Sequence, residues 1–413
     1  MSNPEKEFTC IQPEYVKYFK CEGDICNARC CKGFQVDIDR ATHEKYKSIT
    51  DKKIRSTILN TLSWNKPSST YRMKLRPGAI CPMLQPDCLC YIQKNFGHDY
   101  LSDVCADYPR RTFVIDDLVL RSMGLTCPIA ARLALLSPGP MKFETAKFKT
   151  THAGSFFYRS VNEVPARKHL AILQEFSINV LQDRRLTLNQ RLAALGIILS
   201  EADGLIANNR ADDLRLIVKI YHSDDYFNNL RNKVETLTFY REQYLQIMLA
   251  LMDRIFSKAV VYYAPDQRNF AKYLLQAFDF IGNKNKTLPE LLALYDKNIA
   301  IYKKNAHEPF NHVLENYLVH SFFAGIYPCH MPGSLLSNYF LFLTLYKFFE
   351  IGLISMTAAM QERFSIYDLL EFAERFCNRI DHSTAFQQIT LNYISSLQKW
   401  PLELIKSLID FEV

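Results

Sequence analysis

Beyond about residue 165 the apolar positions of this chain recur every three or four residues. The clearest runs cover 169–181, 187–200, 236–256, 288–302, 334–353 and 366–380. That period marks amphipathic helices with one buried face. Only seven prolines interrupt the 273 residues after residue 140, and Pro289 sits just inside a helix start, where its missing N–H is no loss. The earlier part of the chain reads differently. Short pieces at 34–38 and 113–115 alternate or cluster like small strands. Turn signals such as Arg76-Pro77-Gly78 and Gln85-Pro86-Asp87 separate them, and Ser137-Pro138-Gly139-Pro140 resists a continuing helix. The pattern predicts a mainly α protein, with a loop-rich, cysteine-rich head over 1–140 and a large helical body over 141–413. No repeat of fixed period is visible.

Residues 316–346 carry no formal charge. Gly325, Pro328, Pro332 and Gly333 break that stretch, as do His320 and His330. Its continuous part, 335–346, is too short to cross a bilayer and contains Asn338. It reads as a loop leading into a buried helix, with the aromatic run 339–349 as core packing. The first residues mix acid and base and show no apolar run of the secretory kind. The expectation is therefore a soluble, cytoplasmic protein without membrane insertion.

Composition adds exclusions. An apolar fraction of 48% with 28 Phe and 23 Tyr supplies ample core, and 13 Gly and 17 Pro exclude a collagen-like or linker-like chain. The formal charge of +7, from 50 basic and 43 acidic residues, falls well short of a nucleic-acid signature.

Ten of the twelve cysteines lie between Cys10 and Cys127. After Cys10 their order is Cys21, Cys26, Cys30, Cys31, then Cys81, Cys88, Cys90, Cys105 and Cys127. Without export, clustered thiols point to metal or redox chemistry more than to disulfides. A small loop-rich module gains stability from bound metal, and thiolates suit zinc or an iron–sulfur cluster alike. Adjacent Cys30 and Cys31 diverge and can serve different sites. Cys10, Cys329 and Cys377 read as small buried hydrophobes.

Three blocks then carry a resemblance. QPEYVKYFKCEGDICNARCCKGFQVDID, CPMLQPDCLCYIQKNFGHDYLSDVCADYPRR and LTCPIAARLAL, in this order, resemble the flagellin lysine-N-methylase family. The pieces ENYLVHSFFAGIYP and FCNRIDHS resemble its helical region. Carried over, the family cysteines match Cys21, Cys26, Cys30, Cys31, Cys81, Cys90, Cys105 and Cys127. Cys10 and Cys88 are extras, with Cys88 placed where it could exchange roles with Cys90. Phe34 stands where the family tends to have Trp. The resemblance implies a protein lysine N-methyltransferase acting on flagellin, a four-iron [4Fe-4S] cluster and S-adenosylmethionine as methyl donor; by thiolate chemistry zinc stays the alternative metal.

No G-x-G occurs anywhere, so neither a glycine-rich dinucleotide-binding turn nor a P-loop is present. The donor would need an unusual site, such as an open position on a cluster iron. Tyr108-Pro109-Arg110-Arg111 matches a family motif, and Tyr108 and Arg110 are its candidate donor-binding residues. Arg110 could equally form a salt bridge within the head. Asp37, Asp103, Asp107 and Tyr108 are candidate bases, each also readable as a turn or capping residue. His320 and His330 flank Cys329 and read as core or loop residues. The segment Ile380-Asp381-His382-Ser383 reads as the end of one helix and the cap of the next. The rival to an enzyme is a metal-stabilised protein-binding or redox-sensing protein.

Overall fold

β1 (Lys6–Pro13) pairs along its whole length with β7 (Phe143–Thr150), from Lys6 opposite Thr150 to Pro13 opposite Phe143. That antiparallel pair opens a five-stranded sheet of order β7-β1-β6 (Leu118–Met123)-β5 (Arg110–Ile115)-β8 (Phe157–Arg159) in a computed structural model of the chain. The structure describes residues 5–23, 26, 28–159, 168–262, 286–305, 312–360, 363–381, 383–398 and 401–409.

β5 (Arg110–Ile115) and β6 (Leu118–Met123) form a hairpin whose register places Ile115 opposite Leu118. Asp116 in the connection takes a φ of 49°, which Asp tolerates better than a branched residue. β8 (Phe157–Arg159) runs parallel to β5 at one edge. A second, three-stranded sheet has the order β2 (Asp37–Ile38), β4 (Thr70–Met73), β3 (Leu62–Asn65). The run 113–115 is thus strand as expected, while 34–38 contributes only Asp37 and Ile38. β4 ends at Met73, whose N–H reaches back to Val36 O at 3.0 Å and closes the pairing there.

The chain divides into two compact units, one of residues 1–133 and 142–159, the other of 134–141 and 160–413. The boundary at 140 read from composition falls inside the short excursion 134–141. The first unit resumes afterwards because β7 completes the sheet of β1. A core of this unit gathers Val36, Ile38, Tyr46, Ile58, Met73 and Ile92, with Cys81 buried among them and Cys31 and Cys90 packed against them. α1 (Arg40–Lys47) and α2 (Lys52–Asn60) are capped by the Asp39 and Asp51 carboxylates, which accept backbone N–H groups.

The second unit is helical, and the expected runs are present. α6 (Leu170–Leu181) is followed by α7 (Leu188–Ala207), whose start is a reciprocal Thr187–Gln190 capping box. The 236–256 run begins later than expected, at Arg241. Tyr240 gives its N–H to Lys406 O at 3.0 Å instead of to a helix. Residues 366–380 are an α-helix to Phe376 and then a π turn, Cys377–Asp381. Ser383 caps the next helix by accepting from Phe386 N, as expected, while His382 lies outside the described residues.

One expectation is corrected. Residues 316–324, read as loop, belong to the helix Val313–Ala324, every residue of which is buried. Its polar groups are satisfied from within the unit: Asn316 Nδ2 donates to Leu135 O at 3.0 Å and to Ser137 O at 2.8 Å. The breakers Gly325, Pro328 and Pro332 all fall after its end. The helix Leu335–Met360 is long and apolar enough to cross a bilayer, yet its most apolar window is fully buried in this unit. An apolar helix wrapped on all sides is a core helix. Tyr339, Phe342, Tyr346, Phe348 and Phe349 on it are all essentially inaccessible.

Candidate thiol-lined site

The first unit encloses a cavity of about 260 Å³. Five of the matched cysteines line it: Cys21, Cys26, Cys30, Cys105 and Cys127. They come from four separate segments. Cys21 and Cys26 lie on the loop after the first 3-10 turn, and Cys30 on the turn Arg29–Cys31. Cys105 lies on α4 (Asp103–Asp107), and Cys127 stands directly before α5 (Pro128–Leu135).

The other three matched cysteines stand behind Cys30. Cys81 N–H donates to Cys31 O at 2.8 Å, joining two distant segments of sequence through the backbone. Arg76 Nη2 donates to both Cys81 O (3.1 Å) and Leu84 O (3.0 Å), which pins that loop. The Cys31 side chain shares hydrogen bonds with Cys30 and Cys81, so Cys31 retains its proton and its pKa is raised. The same contact lowers Cys30 and brings the Cys81 thiol to about 7. Cys90 feels the charges of Cys81 and Cys30, and burial raises its pKa. Burial likewise pushes Cys127 up to about 11. Cys105 lines the cavity, and desolvation there pushes its thiol up to about 12.

All eight matched cysteines therefore share one neighbourhood of the first unit. Cys88 does not line the cavity and sits in a turn at φ 62°. Cys90, by contrast, packs against the core that contains Cys81. Cys10 is buried against Gln12 in β1, and Cys329 and Cys377 are buried in the second unit. Among the described residues no three His, Cys, Asp or Glu side chains are grouped so as to hold a metal ion together. The donor set is nonetheless chemically suited to a soft metal: thiols from several loops, two of them shifted towards thiolate.

Arg110 also lines the cavity, with its guanidinium carbon 5.2 Å from the centre of the Phe19 ring. Among the described residues no carboxylate forms an ion pair with it. Tyr108 lines the same wall, its hydroxyl 3.1 Å from Thr126 Oγ1. The three carboxylates considered as bases stand elsewhere. Asp37 binds Arg72 at 2.8 Å, Asp103 binds His152 at 2.9 Å, and Asp107 faces Arg121 at 3.4 Å and Ser155 at 3.1 Å. Burial raises the pKa of both Asp103 and Asp107.

Two histidines escaped the sequence reading. His98 lines the cavity, and its ring meets that of His152 edge to face with centroids 5.3 Å apart. His98 stands between Cys90 and Cys105 in the second block, a position that could have flagged it. His152 carries no such signal, because only the sheet brings β7 and its following turn to α4. In the second unit His330 uses both ring nitrogens, on Gly325 O and Gln387 Nε2, and His320 is buried, in keeping with their reading as core and loop residues.

A family model described as FliB lysine N-methylase C-terminal domain matches residues 174–406. The chain belongs to the FliB lysine N-methylase family. Among relatives, Flagellar biosynthetic protein FliU of Salmonella muenchen is 31% identical over 160 residues, 38% of this chain and 95% of that protein. Lysine-N-methylase of Salmonella choleraesuis (strain SC-B67) is 32% identical over 139 residues, 33% of this chain and 35% of that protein. Its namesake in Salmonella typhimurium (strain LT2) matches to the same extent. The chain thus spans about a third of the length of these two lysine-N-methylases. No solved structure matches. The FliB model begins at residue 174, and every residue lining the thiol-lined cavity lies upstream of it.

Proposed function

We propose that this protein is a cytoplasmic protein lysine N-methyltransferase that uses S-adenosylmethionine to methylate flagellin before export. Family membership and the printed names of its relatives support lysine methylation in a flagellar setting. The observation that carries the site is Arg110, a guanidinium in a thiol-lined cavity with no carboxylate of the described residues against it. A planar guanidinium grips a carboxylate through two parallel hydrogen bonds, so Arg110 is suited to the carboxylate of the donor's methionine part. Phe19 under the guanidinium restricts its swing, and Thr126 holds the Tyr108 hydroxyl beside it.

A [4Fe-4S] cluster with one open iron would be held by three thiolates drawn from Cys21, Cys26, Cys30, Cys105 and Cys127, with Cys31, Cys81 and Cys90 behind them. Zinc is the alternative metal for the same donors. When bound, the cluster supplies an iron with an open position for the donor's amino and carboxylate groups. The chain's own residues supply the rest: Arg110 orients the donor, and the cavity walls exclude water from it. The helical unit, which carries the family match, would present flagellin.

The test is anaerobic purification with iron, zinc and sulfide analysis, then incubation with methyl-labelled donor and flagellin. Label on flagellin lysines, with about four iron and four sulfide per chain, is the expected result. A colourless zinc protein that moves no label would make the chain a metal-stabilised binding protein.

A further inference from the structure

His98 opens the short turn His98–Tyr100 at the thiol-lined cavity. Gly97 before it takes φ 82° and ψ −178°, a conformation essentially reserved for glycine, and this turns the chain out of α3 (Tyr91–Phe96). The His98 Nε2 atom lies 3.2 Å from Ala106 O. A carbonyl oxygen only accepts, so Nε2 carries the hydrogen and the neutral ring keeps its lone pair on Nδ1. His152 meets this ring edge to face, and is itself fixed through Nδ1 by Asp103 at 2.9 Å.

A lysine reaches any methyl donor as an ammonium, whose nitrogen has no lone pair until a proton leaves. The other groups on the cavity wall are poorly placed to take it. Glu22 is paired with Arg132 at 3.0 Å, and the Tyr108 hydroxyl is held by Thr126 at 3.1 Å. Arg29 and Arg110 are cations, and the thiols are the proposed metal donors. Asp37, Asp103 and Asp107 do not line the cavity.

We propose that His98 is the base that takes the proton from the substrate lysine, with His152 and Asp103 as positioning residues. This deepens the methyltransferase reading and rests on it. An N–H bond of the ammonium breaks, its electron pair stays on nitrogen, and the proton passes to His98 Nδ1. The freed lone pair forms the new N–C bond to the methyl of the sulfonium co-substrate. The C–S electron pair leaves on sulfur as a neutral thioether, and His98 returns its proton to water. No oxidant or reductant is needed.

The test is His98→Ala in the full, metal-replete chain. The expected result is a fall of about 10²–10⁴ in kcat for methyl transfer to flagellin, with labelled-donor binding unchanged by equilibrium dialysis. Added imidazole restores the rate in proportion to its free-base concentration. Independently of turnover, nitrogen NMR of the imidazoles, assigned by loss of the signal in His98→Ala, shows a neutral ring protonated at Nε2. His152→Gln lowers kcat with little change in KM and moves the His98 resonances. An undiminished kcat in an active His98→Ala protein overturns the base assignment alone. So does a loss that imidazole does not rescue, or a ring protonated at Nδ1. A wild-type protein that moves no methyl overturns the methyltransferase reading and the base with it.

Discussion

His152 Nδ1 lies 2.9 Å from Asp103 Oδ1, joining the turn after β7 to the first residue of α4. Both side chains are buried, and among the described residues His152 Nε2 has no hydrogen-bond partner. Gly154 makes the pairing possible, because a Cβ at that position would collide with Asp103 Oδ2.

Gly154→Ala should therefore displace Asp103 and lower the stability of the first unit by about 1–3 kcal/mol, the usual range for overpacking. Gly204→Ala is the control. It lies in α7 with open space around it, and should stabilise by about 0.5–1 kcal/mol through helix propensity. Urea unfolding of both variants reads the contrast. Equal midpoints for the two would refute the packing argument.

Lys347 and Glu350 form a wholly buried ion pair at 2.7 Å. Asn189 Oδ1 accepts from Lys347 Nζ at 2.8 Å, and Glu350 Oε1 accepts from the Tyr346 hydroxyl at 3.0 Å. Lys347→Met leaves the Glu350 carboxylate in the core without its cation and should cost about 3–5 kcal/mol, while the double change with Glu350→Gln should recover much of that. Denaturant midpoints of the two variants check the difference.

Glu315 receives Arg184 Nη2 at 2.9 Å and Arg191 Nη1 at 2.7 Å. Burial alone would raise its pKa, but hydrogen bonds from Arg184 and Arg191 outweigh burial and hold it below the ordinary value. A carboxylate depressed in the folded state stabilises above its unfolded pKa of about 4.3, and that contribution is lost as pH falls through the folded value. Thermal midpoints should therefore decline below roughly pH 4.3, with a shallower decline in Glu315→Gln. Parallel acid limbs for the two proteins would contradict this.

Arg110→Ala should weaken S-adenosylmethionine binding by about 10- to 150-fold, the equivalent of the 1.5–3 kcal/mol typical of a hydrogen bond to a charged group. Arg110→Lys, which lacks the planar fork, should restore only part of it. Equilibrium dialysis with labelled donor measures both.

Cys105→Ser and Cys127→Ser should each lower the metal content of anaerobically purified protein, whereas Cys88→Ser, outside the cavity, should leave it unchanged. Metal and sulfide analysis of the three variants decides between them. Equal content in all three would remove the cavity from consideration as the metal site.

Much of this molecule follows from local pattern. Period-three-and-four apolar spacing predicts the helices of the second unit, and clustered thiols single out the first 127 residues as the chemical part. Local rules failed where a backbone group's partner is distant. Tyr240 looks helical but bonds Lys406 O, and residues 316–324 look like loop but are helix, their Asn316 satisfied by carbonyls about 180 residues away.

By itself the sequence determined which residues could serve: eight matched cysteines, the Tyr108–Arg110 motif and the helical period. Only the tertiary structure decided which of them meet. It set five thiols and Arg110 around one cavity, placed Cys31 between Cys30 and Cys81, and withdrew Asp103 and Asp107 into pairs with His152 and Arg121. It also brought His98 and His152 together across 54 residues of chain. The reason is physical: helical period is a property of neighbours in sequence, whereas a site is made by segments that meet only after sheet pairing and core burial have fixed where each loop ends.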